Sequence, residues 1–209
     1  MARYTGPVCR LCRRIGEKLM LKGDRCFTPK CSVDRRSGPP GEHARARRRR
    51  ISDRGLQLKE KQKARYAYQM MERPFRRFFH LAEKQAGITG ENLQVLLERR
   101  LDNVVYRLGL ADSRSQARQI VLHGHILLNG IKTDIASCLL KEGDKITWRE
   151  ESKKSEYFKM LSNVIESKII PNWLRLDKNN LAGEVLSLPT PEEIGANFDG
   201  KTIVEYYSR

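Results

Sequence analysis

Apolar residues recur at helical spacing in two stretches of the chain. Phe75, Phe78, Phe79 and Ala82 fall on one face of a helix, and that face is read as a core stripe rather than a base-stacking platform. The helical composition runs from about Leu56 to Gln85. Pro74 either divides this stretch into two helices or sits in the first turn of the second. Leu93, Leu96, Leu97, Leu101, Val104, Val105 and Leu108 form a second stripe, as one helix or two short ones, that ends at Gly109.

Ser113 then opens a helix, with Gln116 three residues on as in a capping box, and Ala117, Ile120 and Val121 bury one of its faces. Gly124 ends it. Residues 126–132 read as a hairpin, because Asn129-Gly130 suits a tight turn with positive φ. Residues 145–148 look like a further strand and 155–167 like a helix. Beyond Pro171 come short strand-like pieces, a Pro-Thr-Pro start at 189–191 and a strand-like end over Thr202–Tyr207. No internal repeat is visible. Residues 1–50 differ: they are rich in Gly, Pro and Arg and show little periodicity. Ser37-Gly38-Pro39-Pro40-Gly41 is excluded from both helix and strand. This segment is expected to take its shape from a ligand or a metal rather than from its own core.

Charge sharpens the division. The chain has 209 residues, 41 Lys and Arg against 25 Asp and Glu, and a net charge of +16. Residues 1–100 hold 26 basic and 10 acidic side chains, whereas residues 101–209 hold 15 of each. A basic half joined to a neutral half points to a polyanion, most simply nucleic acid, whose condensed counterions are released on binding. A basic membrane-surface protein would need an amphipathic basic helix or a lipid signal, and the sequence has neither. No apolar run is long enough to span a bilayer, and the N-terminus does not resemble a secretion signal. A cytoplasmic location with reduced thiols is expected.

In that setting Cys9-x2-Cys12-x13-Cys26-x4-Cys31 reads first as a metal knuckle. Two short chelating pairs separated by a loop can wrap one tetrahedral ion with four thiolates, so one structural Zn2+ per chain is expected on Cys9, Cys12, Cys26 and Cys31. With so little apolar content nearby, the metal would supply most of the folding energy. An iron–sulfur cluster and unliganded thiols or labile disulfides are the alternatives. Four thiolates leave no open position for a catalytic water. His43 fits no short chelate with Cys31, and Cys138 reads as a small buried hydrophobe.

Two further signals concern RNA. Arg45, Arg47, Arg48, Arg49 and Arg50 form a dense basic run, followed by Arg54, Lys59, Lys61, Lys63 and Arg65. Such a run repels itself unless phosphate neutralises it, and the planar guanidinium fork suits phosphate. Within residues 99–130, Arg114 and Arg118 stand one helical turn apart. The buried face of their helix is expected to send both outward. Ser113 lies at the helix start, where backbone N–H groups can meet an anion. His123 and His125 flank Gly124 at the other end.

The stretch Arg-Leu-Asp-Asn-Val-Val-Tyr-Arg and the stretch Arg-Gln-x-Val-x-His-Gly-His-Ile-x-x-Asn-Gly resemble the S4-type RNA-binding module. With the opening Met-Ala-Arg-Tyr-Thr-Gly-Pro and the four cysteines, the whole chain resembles the bacterial small-subunit ribosomal protein S4 family in its zinc-binding form. Leu110 stands where Phe is common, and many members lack the cysteines. The resemblance implies an α+β fold. A mainly helical N-terminal domain with a four-cysteine zinc knuckle would span 1–98, completed by the tail 197–209. An inserted α/β RNA-binding module of two helices, a hairpin and further strands would lie within 99–196, its core at about 99–160. Candidate RNA-binding residues are Arg3, Arg45, Arg47, Arg48, Arg49, Arg50, Arg54, Lys59, Lys61, Arg100, Arg107, Ser113, Arg114, Arg118, Gln119, His123, His125 and Asn129.

The implied function is that of a non-enzymatic constituent of the small ribosomal subunit. It would bind a multi-helix junction of the rRNA early and nucleate assembly of the subunit body. With ribosomal proteins five and three it would shape the mRNA entrance and influence translational accuracy. No membrane and no small-molecule substrate are expected. Two rival readings share the module. An RNA-modifying enzyme or a tyrosyl-tRNA synthetase would need a separate catalytic domain, and no Gly-rich phosphate loop or catalytic triad is present. A free RNA chaperone would not need the cysteine-and-arginine arm. DNA binding by the knuckle fits poorly, since its spacing departs from the usual finger.

Overall fold

The computed structural model describes residues 3–36, 38–41 and 51–208. The chain forms two compact units, Met1–Gln94 with Ala196–Arg209, and Val95–Gly195. The fold is α+β, with a five-stranded antiparallel sheet in the second unit.

The first unit begins with α1 (Cys9–Ile15), which stops at Gly16 in the left-handed region, φ +86°. Leu11 and Ile15 of this helix join Leu19, Leu21 and Tyr66 in a small apolar core. The cysteine segment therefore shares a small apolar core with Tyr66, where it was expected to take its shape from a ligand or a metal rather than from a core. A 3-10 turn, Gly23–Cys26, and α2 (Ser32–Arg35) follow. The Arg13 guanidinium donates to the carbonyls of Gly38 and Pro39 at 3.0 and 3.1 Å. A long side chain thus holds a segment whose backbone makes no regular ladder.

Helix α3 (Asp53–Ala67) starts three residues before Leu56, because Ser52 Oγ accepts the Gly55 N–H at 3.3 Å and caps it. Helix α4 (Glu72–Glu83) carries Pro74 in its first turn, where the missing N–H has no helical partner to lose. Phe75, Phe78, Phe79 and Ala82 are buried. Helix α5 (Thr89–Glu98) follows.

The last segment is a helix, α10 (Gly200–Tyr207), and not the expected strand. Its β-branched and aromatic composition favours a strand locally, but packing overrides that preference. Asp199 caps the helix by accepting the Lys201 N–H at 2.9 Å. Ile203 is fully buried, and α10 packs along α3 with Gln57 Nε2 donating to Glu205 at 3.0 Å. Tyr207 donates its hydroxyl proton to Glu72 at 2.9 Å. Burial pushes the Glu72 carboxyl up, but hydrogen bonds from Lys61 and Tyr207 outweigh it and hold the group below its ordinary value.

In the second unit the apolar stripe over 93–108 is split. Arg100 is extended at ψ 136°, so α5 ends and α6 (Leu101–Arg107) begins anew, with the Leu101 N–H given to Cys138 O at 2.9 Å. Helix α7 (Arg114–Leu122) opens at Ser113, whose Oγ accepts from Gln116 N. The return bond differs from a capping box: Gln116 Oε1 takes the Asp112 N–H at 2.9 Å.

Strands β1 (Ile126–Leu128) and β2 (Ile131–Lys132) form the expected hairpin, with Asn129 at φ +51° and Gly130 at φ +81°. With β3 (Lys145–Trp148), β4 (Leu174–Asp177) and β5 (Ala182–Val185) they make a sheet of order β2-β1-β3-β5-β4. The middle strand places Ile146 opposite Gly183. Leu108 fills the space that a side chain at Gly183 would occupy, so the helical layer lies directly on the sheet. Helix α8 (Glu156–Val164) and the capped α9 (Pro191–Ile194), with Thr190 and Glu193 in a capping box, complete the unit. Cys138 is half-buried and packs against the core, and burial pushes its thiol up.

Gly90 and Gly200 meet backbone to backbone: a Cβ on Gly200 would stand 2.9 Å from the Gly90 carbonyl oxygen. Helix propensity alone favours alanine by up to about 1 kcal/mol. The collision reverses the sign, and Gly200→Ala is expected to lower stability by about 1–3 kcal/mol in denaturant melts. An unchanged or raised midpoint would contradict this packing.

Candidate nucleic-acid interface

Four of the five arginines of residues 98–118 gather on two buried carboxylates, while Arg99 Nε donates to Leu140 O at 2.9 Å. Glu98 is fully buried and takes Arg107 Nε and Nη2 at 2.8 Å each. Asn103 Nδ2 donates to the same carboxylate at 2.7 Å, and Arg114 Nη2 stands 3.9 Å from it. Arg114 also donates to Asn103 Oδ1 at 2.7 Å and lies 4.7 Å from the centre of the Tyr106 ring. Asp102 forms the second centre. Arg100 reaches it with two bonds of 3.0 and 2.6 Å, and Arg118 Nη1 with one of 3.0 Å.

Arg100 is 2% exposed and Arg118 7%. The expectation that Arg118 points away from the core, opposite Ala117 and Val121, is therefore wrong. Helical spacing itself sets Arg118 about 60° from Val121, beside the buried face rather than opposite it, and Asp102, an acid on the preceding helix, draws it inward. Desolvating such ions costs several kcal/mol each, which short charge-assisted bonds must offset.

The far end of α7 is built differently. Gly124 turns at φ +73° between His123, which is exposed, and His125, which is half-buried. Their ring centres lie 6.0 Å apart, and His125 lies 6.4 Å from Trp148. His125 Nδ1 pairs with Ser152 Oγ at 2.9 Å. Burial, helped by His123 and Arg149, holds the His125 imidazole below its ordinary pKa. Gln119 is exposed on the same helix end. Ser113 is taken up as a helix cap. Asn129 ties the hairpin tip to the next strand, donating to Asp144 and accepting the Lys145 N–H, both at 2.8 Å.

In the first unit, Arg3 and Arg54 are exposed. Lys59 pairs with Glu17 at 3.6 Å, and Lys61 is buried against Glu72 at 2.7 Å with its ammonium 4.7 Å from the Tyr206 ring centre. Lys63 and Arg65 pair with Glu17 and Glu72. Arg45, Arg47, Arg48, Arg49 and Arg50 lie outside the described residues, as does His43. Sequence reasoning missed one cationic surface. Arg73, Arg76, Arg77 and His80 on α4 and Lys84 at its C-cap are exposed, and these five with Leu81 line one depression of the helix's outer face. The signal was present: they recur at helical spacing between the buried phenylalanines.

The cysteines fit a thiophilic ion in chemistry. All are free thiols; Cys12, Cys26 and Cys31 are buried and Cys9 half-buried. Lys22 N–H donates to Cys26 Sγ at 3.3 Å. Burial raises the Cys12 thiol, a hydrogen bond from the Leu19 backbone opposes it, and the neighbouring Cys26, Cys9 and Cys31 raise it further. Among the described residues, however, no three His, Cys, Asp or Glu side chains stand together at metal-holding geometry.

The carboxylate centres generate a stability test. Asp102→Asn removes the charge that two buried guanidiniums share and is expected to destabilise the second unit by about 3–5 kcal/mol, read by urea unfolding. A change under about 1 kcal/mol would mean that the pairs are not buried in solution.

The Ribosomal protein S4/S9 N-terminal domain family matches residues 3–98, and the S4 domain family matches residues 99–146. The small ribosomal subunit protein uS4 of Dehalococcoides mccartyi is 60% identical over 209 residues, the full length of both chains. Those of Heliobacterium modesticaldum and Halothermothrix orenii are 56% and 55% identical, again over the full length of each. The chain belongs to the family of small ribosomal subunit protein uS4.

Proposed function

We propose that the chain binds small-subunit rRNA through two cationic or polar surfaces, the outer face of α4 and the His123 end of α7, while its buried arginines hold the second unit together. Membership of the family makes it a structural, non-enzymatic constituent of the small ribosomal subunit that binds rRNA. The observation that carries the finer reading is the pairing pattern. Lys61, Arg100 and Arg118 are committed to buried carboxylates or to Glu72, whereas Arg73, Arg76, Arg77 and Lys84 stand exposed. Phosphate is met by exposed cations, and each such meeting releases counterions. Arg107 and Arg114, part-buried on Glu98, are fixed in direction and form a second tier of cations for the RNA. The run at Arg45 and Arg47 to Arg50 adds further positive charge in the sequence between Gly41 and α3.

The resemblance supports a wider role: early binding at an rRNA junction, nucleation of the subunit body in the cytoplasm, contact with ribosomal proteins five and three, and a place at the mRNA entrance. In the domain reading that accompanies it, residues 1–98 with 197–209 form the helical rRNA-binding domain, and 99–196 carry the module. No helix among the described residues is long and apolar enough to cross a membrane.

Changing Arg73, Arg76 and Arg77 to Gln together is expected to weaken binding to small-subunit rRNA. The log–log salt slope should flatten by about 0.7–0.9 for each phosphate left without its cation. An unchanged slope and affinity would show that α4 faces solvent in the complex.

Cys9, Cys12, Cys26 and Cys31 would hold one structural zinc, tightening a knuckle that already has a small core. Metal analysis after anaerobic purification is expected to give close to one equivalent of zinc, lost in the Cys31→Ser variant. Less than about a tenth of an equivalent, measured against the one-ion stoichiometry of a four-thiolate site, would remove zinc from the account.

A further inference from the structure

At the C-terminal end of α7, beside the start of β1, lies a cavity of about 300 Å³. One water occupies a share of about 30 Å³. Clefts that hold small organic groups begin at about 300 Å³. The walls are chemically distinctive. No Lys, Arg, Asp or Glu lines the cavity. Instead His123, His125, Trp148 and Tyr157 supply rings, and Gln116 and Gln119 supply carboxamides. A phosphate would find no cation there, and a metal ion would find no carboxylate or thiolate. A flat, uncharged group with polar edges fits both parts of the wall. Rings cover its faces, and an amide offers donor and acceptor to its edge.

We propose that this cavity takes one unstacked base of an RNA loop or bulge, stacked on the His123 ring with its edge towards Gln116 and Gln119. The proposal rests on the rRNA-binding reading and deepens it, since base insertion replaces a backbone contact at this end of the helix. The walls are fixed before any ligand arrives. Ser152 holds His125, and Tyr157 donates its hydroxyl proton to Leu110 O at 3.0 Å. Trp148 is 2% exposed and backs the cavity as a fixed, buried ring. His123 and Gln119 are exposed, so the rim is open to RNA. RNA lends itself to this mode because bases in loops and bulges can be splayed out and stacked on protein rings.

The test measures binding of the full-length protein to intact small-subunit rRNA over a salt series. The set is wild type, His123→Ala, His123→Phe and Gln119→Ala, each with a thermal melt. Loss of stacking in His123→Ala is expected to weaken binding about 5- to 100-fold with the log–log salt slope unchanged, since every phosphate keeps its cation. His123→Phe should restore binding, because a ring face remains. Gln119→Ala should weaken it by a smaller factor, and all melts should match. Wild-type affinity in both His123→Ala and Gln119→Ala overturns the proposal. So does a slope flattened by about 0.7–0.9 without rescue by Phe, which makes His123 a phosphate ligand. Failure of the wild type to bind rRNA would instead sink the wider reading on which the proposal rests.

Discussion

Two carboxylates inside the second unit set the terms for much of the rest. Glu98 and Asp102 are buried among Arg100, Arg107, Arg114 and Arg118, and each of the four guanidiniums pairs with one acid or the other. A buried ion is costly unless every partner is present. The arrangement therefore fixes several things at once. It breaks the apolar stripe at Arg100 and brings α7 against α6, with Arg118 spanning to Asp102. Four arginines around two acids also hold positive charge in a defined direction rather than on mobile side chains. Arg107 and Arg114 keep part of that charge near the surface.

This division changes how a basic sequence is read. In the first unit Glu17 and Glu72 absorb Lys59, Lys61, Lys63 and Arg65, so the cations following the arginine run are largely internal partners. The face of α4 that opposes its phenylalanines keeps its arginines exposed. Net charge says that a polyanion is the partner; only pairing says which cations are left to meet it.

Much of the fold was legible in the sequence, for stated reasons. Phe75, Phe78 and Phe79 gave the period of α4, Asn129-Gly130 gave the hairpin, and Pro74 fell where a helix tolerates it. Three readings failed, and a distant residue takes part in each. Thr202–Tyr207 is a helix because α3 and an Asp199 cap hold it, against its local strand preference. Leu11, Ile15 and Leu19 recur every four residues, a signal overlooked among the Gly, Pro and Arg of the segment, and with Leu21 they form a core with Tyr66 from α3. Arg118 was read as facing outward because it is charged, although its spacing sets it beside Val121 on the buried face and Asp102 on the neighbouring helix receives it. The cavity beside His123 was also out of reach of pattern reasoning, because Gln116, Trp148 and Tyr157 meet only in three dimensions.

The claim that the buried arginines build the unit while exposed ones meet RNA is tested most directly by arginine-selective chemical modification read by mass spectrometry. It is run on the free protein and on its complex with small-subunit rRNA. Burial predicts that Arg100 and Arg118 stay unreactive in both states, and that Arg73, Arg76 and Arg77 react when free and are protected in the complex. Ready modification of Arg118 in the free protein, with protection on RNA binding, would contradict it.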